Sequence, residues 1–217
     1  MFDHILFDLD GTLTDPIKGI LCSLRHTLAR FNIEEEDEER LRLFIGPPLF
    51  ESFRTLYGFN QLQTDEAIRH YREHHAVDGL YDNKVFAGIP ELLEELKGNG
   101  KRLYVATTKM TSFAEEILDH FDMKKYFSMI VGGNPDGTRT AKQEIIAEIL
   151  TETGDTAGNK IVMIGDRKYD IIGAKAHGLT AVGVTYGYGS EEELRAQKPD
   201  YLVHSVAELS SLLLGDA

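Results

Sequence analysis

Two kinds of hydrophobic spacing follow one another along the chain, and the changeover divides it. Near the start, Ile5-Leu6-Phe7 is a short continuous apolar run, as in a strand buried on both faces, and it leads into Asp8-Leu9-Asp10-Gly11-Thr12. The period then changes: Ile17, Ile20, Leu21, Leu24, Leu28 and Phe31 recur at helical spacing behind Pro16, a good residue for a helix start. Gly46-Pro47-Pro48-Leu49 forms a stiff turn, and helical periodicity returns at 49–57 and again at about 64–77. No strand is expected between 17 and about 80. Beyond residue 85 the pattern alternates. It predicts helices at 89–98, 111–121, 141–153, 168–177 and 205–214, and strands at 103–106, 129–131, 161–164, 180–184 and 201–203.

Alternating strands and helices joined by short connections predict an α/β fold with a doubly wound parallel sheet. The first strand should pair within that sheet. Residues 1–15 and 83–217 would then form one α/β core, and 16–82 an inserted, all-helical cap domain standing over the carboxyl edge of the sheet.

Composition narrows the class. Of the 217 residues, 42% are hydrophobic and 27% charged, an ordinary mixture able to bury a core. No run of about 18 apolar residues is present, so no membrane span is expected. No basic segment followed by an apolar stretch opens the chain, and its one cysteine, Cys22, cannot form an internal disulfide; both points favour the cytoplasm. The formal net charge of −13 disfavours nucleic acid as a partner. It also repels a small anion, so a phosphate site here needs its own lysines or a metal ion.

The polar residues at the strand ends meet that requirement. Asp8 and Asp10 are two apart and would face one way at the end of the first strand, where open α/β sheets bind ligands. Two carboxylates there repel, and a hard divalent cation, Mg²⁺ best of all, would compensate them. Thr107 ends the strand at 103–106, Lys142 opens the helix at 141–153, and Gly165-Asp166 with Asp170 follow the strand at 161–164. Taken singly, Thr107 or Asp166 could be a helix cap and Lys142 a surface charge. Their coincidence at one sheet edge points to phosphoryl transfer. His70 and His74, four apart on a helix, lack an evident third ligand and read as a solvated face, as does the acidic run from Glu34 to Glu39.

Asp8-Leu9-Asp10-Gly11-Thr12, Thr107, Lys142, and Gly165-Asp166 with Asp170 resemble the four ordered motifs of the haloacid dehalogenase-like hydrolases, with their Rossmann-like core. The helical insert and its Gly46-Pro47-Pro48-Leu49 turn resemble the cap of the branch that includes phosphoglycolate phosphatases. The resemblance implies a magnesium-dependent phosphatase that hydrolyses small phosphomonoesters through an aspartyl-phosphate. It makes Asp8 the nucleophile, a role the sequence alone could equally give to Asp10, and Asp10 the general acid and base. Mg²⁺ would be held by the Asp8 carboxylate, the Asp10 main-chain carbonyl and Asp166, with Asp170 orienting the site from behind. Thr107 and Lys142 would hold and neutralise the phosphoryl group. Gly11, Thr12, Thr108 and Lys109, with Gly46 and Pro47 from the cap, would contact the substrate. Thr108 stands where many relatives carry Asn.

The leaving group stays open: phosphoglycolate, a nucleoside 5′-monophosphate and a sugar phosphate all fit, and a sugar phosphomutase would use the same aspartates. A dehalogenase would not need Asp10 or the metal. A phospho-accepting receiver module would have no use for Asp10 or for a cap. Oligomeric state is not written in the sequence.

Overall fold

The structure, a computed structural model, describes residues 2–154 and 160–215. In chain order the elements are β1 (His4–Phe7), β2 (Thr14–Asp15), α1 (Ile17–Ala29), α2 (Glu38–Arg42), α3 (Leu49–Tyr57), α4 (Gln61–His74), β3 (Lys84–Val85), α5 (Ile89–Gly98), β4 (Arg102–Met110), α6 (Thr111–His120), β5 (Phe127–Gly133), α7 (Lys142–Thr153), β6 (Ile161–Gly165), α8 (Lys168–Ala176), β7 (Thr180–Val184), α9 (Glu191–Ala196), β8 (Tyr201–Val203) and α10 (Val206–Leu214). They fall into two compact units, Met1–Asp15 with Val85–Ala217, and Pro16–Lys84.

The first unit is built on a six-stranded sheet in the order β5-β4-β1-β6-β7-β8. Every pairing is parallel, as the alternation of strands and helices predicts. The apolar run of β1 lies near the middle, with Ile5 and Phe7 fully buried and Leu6 nearly so. Its alternate residues serve opposite faces. Leu6, with Tyr104, Ala106 and Met163, packs against Ile145, Ile146 and Ile149 of α7 and Ile171 and Ala174 of α8. Both faces are therefore covered, as an all-parallel sheet requires.

The second unit is helical, in keeping with the pattern over 17–80. Leu24, Leu28, Leu41 and Phe53 are fully buried. Phe53 and Phe59 stack with ring centroids 5.8 Å apart, and Phe44 meets Phe53 edge-on at 4.9 Å. The acidic run resolves into a loop and a helix start: Asp37 caps α2, its side chain accepting from the amides of Glu39 and Arg40. Helix α4 begins earlier than the periodicity indicates, because Asn60 and Gln63 form a reciprocal capping box. It ends in a π-helical turn over His75–Gly79. His74 lies against His26 with ring centroids 4.1 Å apart.

Candidate active site

Strand order reverses at β1. The chain places β4 and β5 on one side of it and β6, β7 and β8 on the other, so a crevice opens at the carboxyl ends of β1 and β6. The register pairs Phe7 with Ile164. Each strand then delivers an aspartate into the crevice: Asp8, whose amide donates to the Ile164 carbonyl at 2.9 Å, and Asp166.

Asp166 is fully buried, and main chain encloses it. Its Oδ1 accepts from the Thr12 hydroxyl at 3.2 Å and its Oδ2 from the Tyr188 amide at 2.8 Å. Glycine makes this fit possible. Gly11 sits at φ +88°, a conformation costly for other residues, and a Cβ there would stand 2.3 Å from Asp166 Oδ2. A Cβ on Gly187 would stand 2.4 Å from Asp166 Cβ. Asp170, on the first turn of α8, accepts the Arg167 amide on Oδ2 at 3.0 Å.

Two lysines enter this acidic crevice. Lys142, at the start of α7, is buried, and its Nζ lies 2.9 Å from Asp8 Oδ1 and 2.7 Å from Asp170 Oδ1. It also donates to the Ala106 carbonyl at 2.8 Å. Lys109, near the end of β4, places Nζ 2.9 Å from Asp10 Oδ2, while Asp10 Oδ1 is buried with no hydrogen-bond partner among the described residues.

Charge does not balance among these side chains. Ligand atoms of Asp8, Asp166 and Asp170 lie within 4.8 Å of one another, and Lys142 is bonded to Asp8 and Asp170. Burial, with the neighbouring Asp170 and Asp8, pushes the Asp166 carboxyl up to about 8. Burial likewise raises Asp170, with Lys142 opposing and Asp8 adding to it. Burial also raises Asp10, against the pull of Lys109. Burial alone would lower Lys142, but Asp170 and Asp8 hold it above its ordinary range. Closely packed hard oxygen donors with surplus negative charge suit a divalent cation such as Mg²⁺. Among the described residues, this is the one group of three metal-ligating side chains brought that close.

Comparison with known proteins places this geometry. Residues 5–184 match the family model described as haloacid dehalogenase-like hydrolase. The chain belongs to the haloacid dehalogenase-like hydrolases. It is 50% identical to a 5′-nucleotidase of Pseudomonas aeruginosa over 98% of this chain and 96% of that one. It is 28% identical to a phosphoglycolate phosphatase of Vibrio parahaemolyticus, over 94% of this chain and 93% of the relative. The crystal structure of a predicted phosphatase from Clostridium acetobutylicum superposes with a TM-score of 0.96 at 42% identity, covering 99% of each chain. This haloacid dehalogenase-like hydrolase is a phosphatase of the phosphoglycolate phosphatase-like branch. No helix among the described residues is long and apolar enough to cross a membrane.

In the phosphatase, the carboxylates of Asp8, Asp166 and Asp170 converge, Lys142 bonds Asp8 and Asp170, and Lys109 meets Asp10. Thr107 is buried and its hydroxyl accepts the Lys109 amide at 3.3 Å. Thr12 is bonded to Asp166, and Thr108 is partly buried beside Lys109. Gly46 and Pro47 lie in the helical unit, in the turn between α2 and α3. Residue type and spacing mark neither the contact between Lys109 and Asp10 nor the Tyr188 amide on Asp166. The run Tyr186-Gly187-Tyr188-Gly189 carried a signal, since glycines alternating with aromatics mark close backbone approach.

Proposed function

We propose that this phosphatase is a magnesium-dependent phosphomonoesterase acting through an aspartyl-phosphate on Asp8. The observation that carries the reading is the convergence of three buried carboxylates, Asp8, Asp166 and Asp170, on one point with Lys142 between two of them. Asp8, Asp166 and the main-chain carbonyl of Asp10 would hold the ion, with Asp170 fixing Lys142 beside them. When bound, Mg²⁺ neutralises phosphoryl oxygens and the attacking carboxylate.

The chain's own groups do the rest. The amide of Leu9 and the ammonium of Lys142 both bond Asp8 Oδ1, at 2.7 and 2.9 Å, and so fix the direction of the carboxylate that attacks phosphorus. Lys142 and Thr107 bind the transferring phosphoryl group. Such fixed electrostatic placement supplies most of the rate in phosphoryl transfer. Asp10, its carboxyl raised by burial, protonates the leaving oxygen and then deprotonates the water that cleaves the acyl phosphate, help worth roughly 10²–10⁴-fold.

For the substrate, a nucleoside 5′-monophosphate is the preferred member of the small phosphomonoesters. The 50% identity to a protein named 5′-nucleotidase supports it over the 28% identity to a phosphoglycolate phosphatase. The test is steady-state phosphate release with Mg²⁺ from p-nitrophenyl phosphate, nucleoside 5′-monophosphates, phosphoglycolate and sugar phosphates. Turnover should vanish on chelation and in the folded Asp8→Asn variant, with nucleotides giving the highest kcat/KM among the metabolites. Undiminished turnover in Asp8→Asn would remove Asp8 as nucleophile. A flat ranking would remove the nucleotide preference alone.

A further inference from the structure

The geometry points to Lys109 as a positioning residue: its ammonium clamps Oδ2 of Asp10 and leaves Oδ1 as the atom that passes the proton to and from the reacting oxygen. This rests on the reading of Asp10 as general acid and base given above.

The clamp is built from a break in the sheet. Between the pairs Ala106↔Val131 and Met110↔Gly133, β4 sets residues 107–109 opposite the single residue Gly132 of β5. The extra length bulges, and a bulge re-aims side chains. Gly132 makes room for it: a Cβ there would stand 2.2 Å from the Lys109 carbonyl and 2.8 Å from the Thr111 amide. The Thr107 hydroxyl accepts the Lys109 amide from inside the bulge. Backbone position is thus set on two sides, and the side chain reaches Asp10 with only 7% of its surface exposed.

The two oxygens of Asp10 differ as a result. Oδ2 is held at 2.9 Å by an ammonium. Oδ1 is buried and has no hydrogen-bond partner among the described residues, a costly state for a polar atom unless a reacting group fills it. A lysine committed to Asp10 is also not a free ligand for the phosphate, a part already taken by Lys142. In the first step the Asp8 carboxylate forms a bond to phosphorus and the ester P–O bond breaks. Its electron pair leaves with the alcohol oxygen, which takes the proton carried on Asp10 Oδ1. In the second step water adds to phosphorus and gives a proton back to Oδ1, and the P–O bond to Asp8 breaks, restoring its carboxylate. Lys109 exchanges no proton in either step.

The test compares phenyl phosphate with p-nitrophenyl phosphate, two esters of similar shape whose leaving groups need protonation to different degrees. Their ratio of kcat/KM does not depend on the fraction of enzyme folded. Loosening the acid should hurt phenyl phosphate more, so Lys109→Met should lower both values but widen the ratio by about tenfold, within the range general acids supply. Lys109→Arg should restore most of the wild-type ratio. Asp10→Asn should widen the ratio at least as far as Lys109→Met. Equal losses on both substrates in Lys109→Met would overturn the clamp and return Lys109 to phosphate binding. If Asp10→Asn widens the ratio and Lys109→Met does not, the clamp alone fails. If Asp10→Asn leaves the ratio unchanged, the general-acid reading fails and the clamp with it.

Discussion

Asp166 shows how much of this site is made by residues with no chemistry of their own. A hydroxyl and a main-chain amide orient its carboxylate, and two glycines stand where any side chain would strike it. Gly187→Ala should therefore push on Asp166 without removing a ligand. We expect magnesium affinity to fall by roughly 10–100-fold, the usual cost of disturbing the groups that orient metal ligands, as read by titrating Mg²⁺ against activity. An unchanged affinity would mean that the 186–189 loop yields. At this scale legibility follows side-chain chemistry. Asp8 and Asp166 are visible in the sequence because charged residues follow apolar runs, and Lys142 because it opens a helix. The Tyr188 amide is not, because a main-chain donor leaves no mark on residue type. Lys109 is visible as a charge, but its partner depends on a bulge that the apolar pattern does not record.

The elements read from the sequence are those long enough to carry a period. The helices from α5 to α8 and the strands from β4 to β8 lie close to their predicted places, and the parallel order follows from their alternation. What the pattern leaves out is short or irregular. β2 and β3 have two residues each, too few to alternate. α9 is six residues with Leu194 as its one buried side chain, and its Ser190 cap is its clearest signal. β4 runs to Met110 where the apolar run stops at Ala106, since Thr107 to Lys109 serve the crevice instead of the core. The bulge there predicts a specific weakness. Gly132→Ala would force a methyl against the Lys109 carbonyl and the Thr111 amide. A cost of about 1–3 kcal/mol is expected for such overpacking, seen as a lower midpoint in urea with an unchanged slope.

For the molecule as a whole, the buried carboxylates link stability to pH. Burial, with Asp170 and Asp8 nearby, pushes the Asp166 carboxyl up to about 8 in the folded chain, against near 3.9 when unfolded. Between those values the folded state binds the extra proton, so this group's contribution to stability is full below about pH 4 and is lost as pH rises toward 8. Magnesium held by Asp166, as proposed, would bind the ionised form and oppose that loss. In differential scanning fluorimetry, the rise in Tm produced by Mg²⁺ over chelator should be small at pH 6 and larger at pH 8.5; equal rises would argue against a proton held on Asp166. The division into two units adds a constraint in time. β1 leads directly into Asp8, yet its neighbours begin with Arg102 on one side and Ile161 on the other. On a ribosome making the chain from its first residue, the helical unit emerges whole while the strand that leads into Asp8 still has nothing to pair with. The centre of the sheet can close only after more than half of the polypeptide has been synthesised. Until then the apolar run Ile5-Leu6-Phe7 is exposed, which makes the nascent chain a natural client for chaperones.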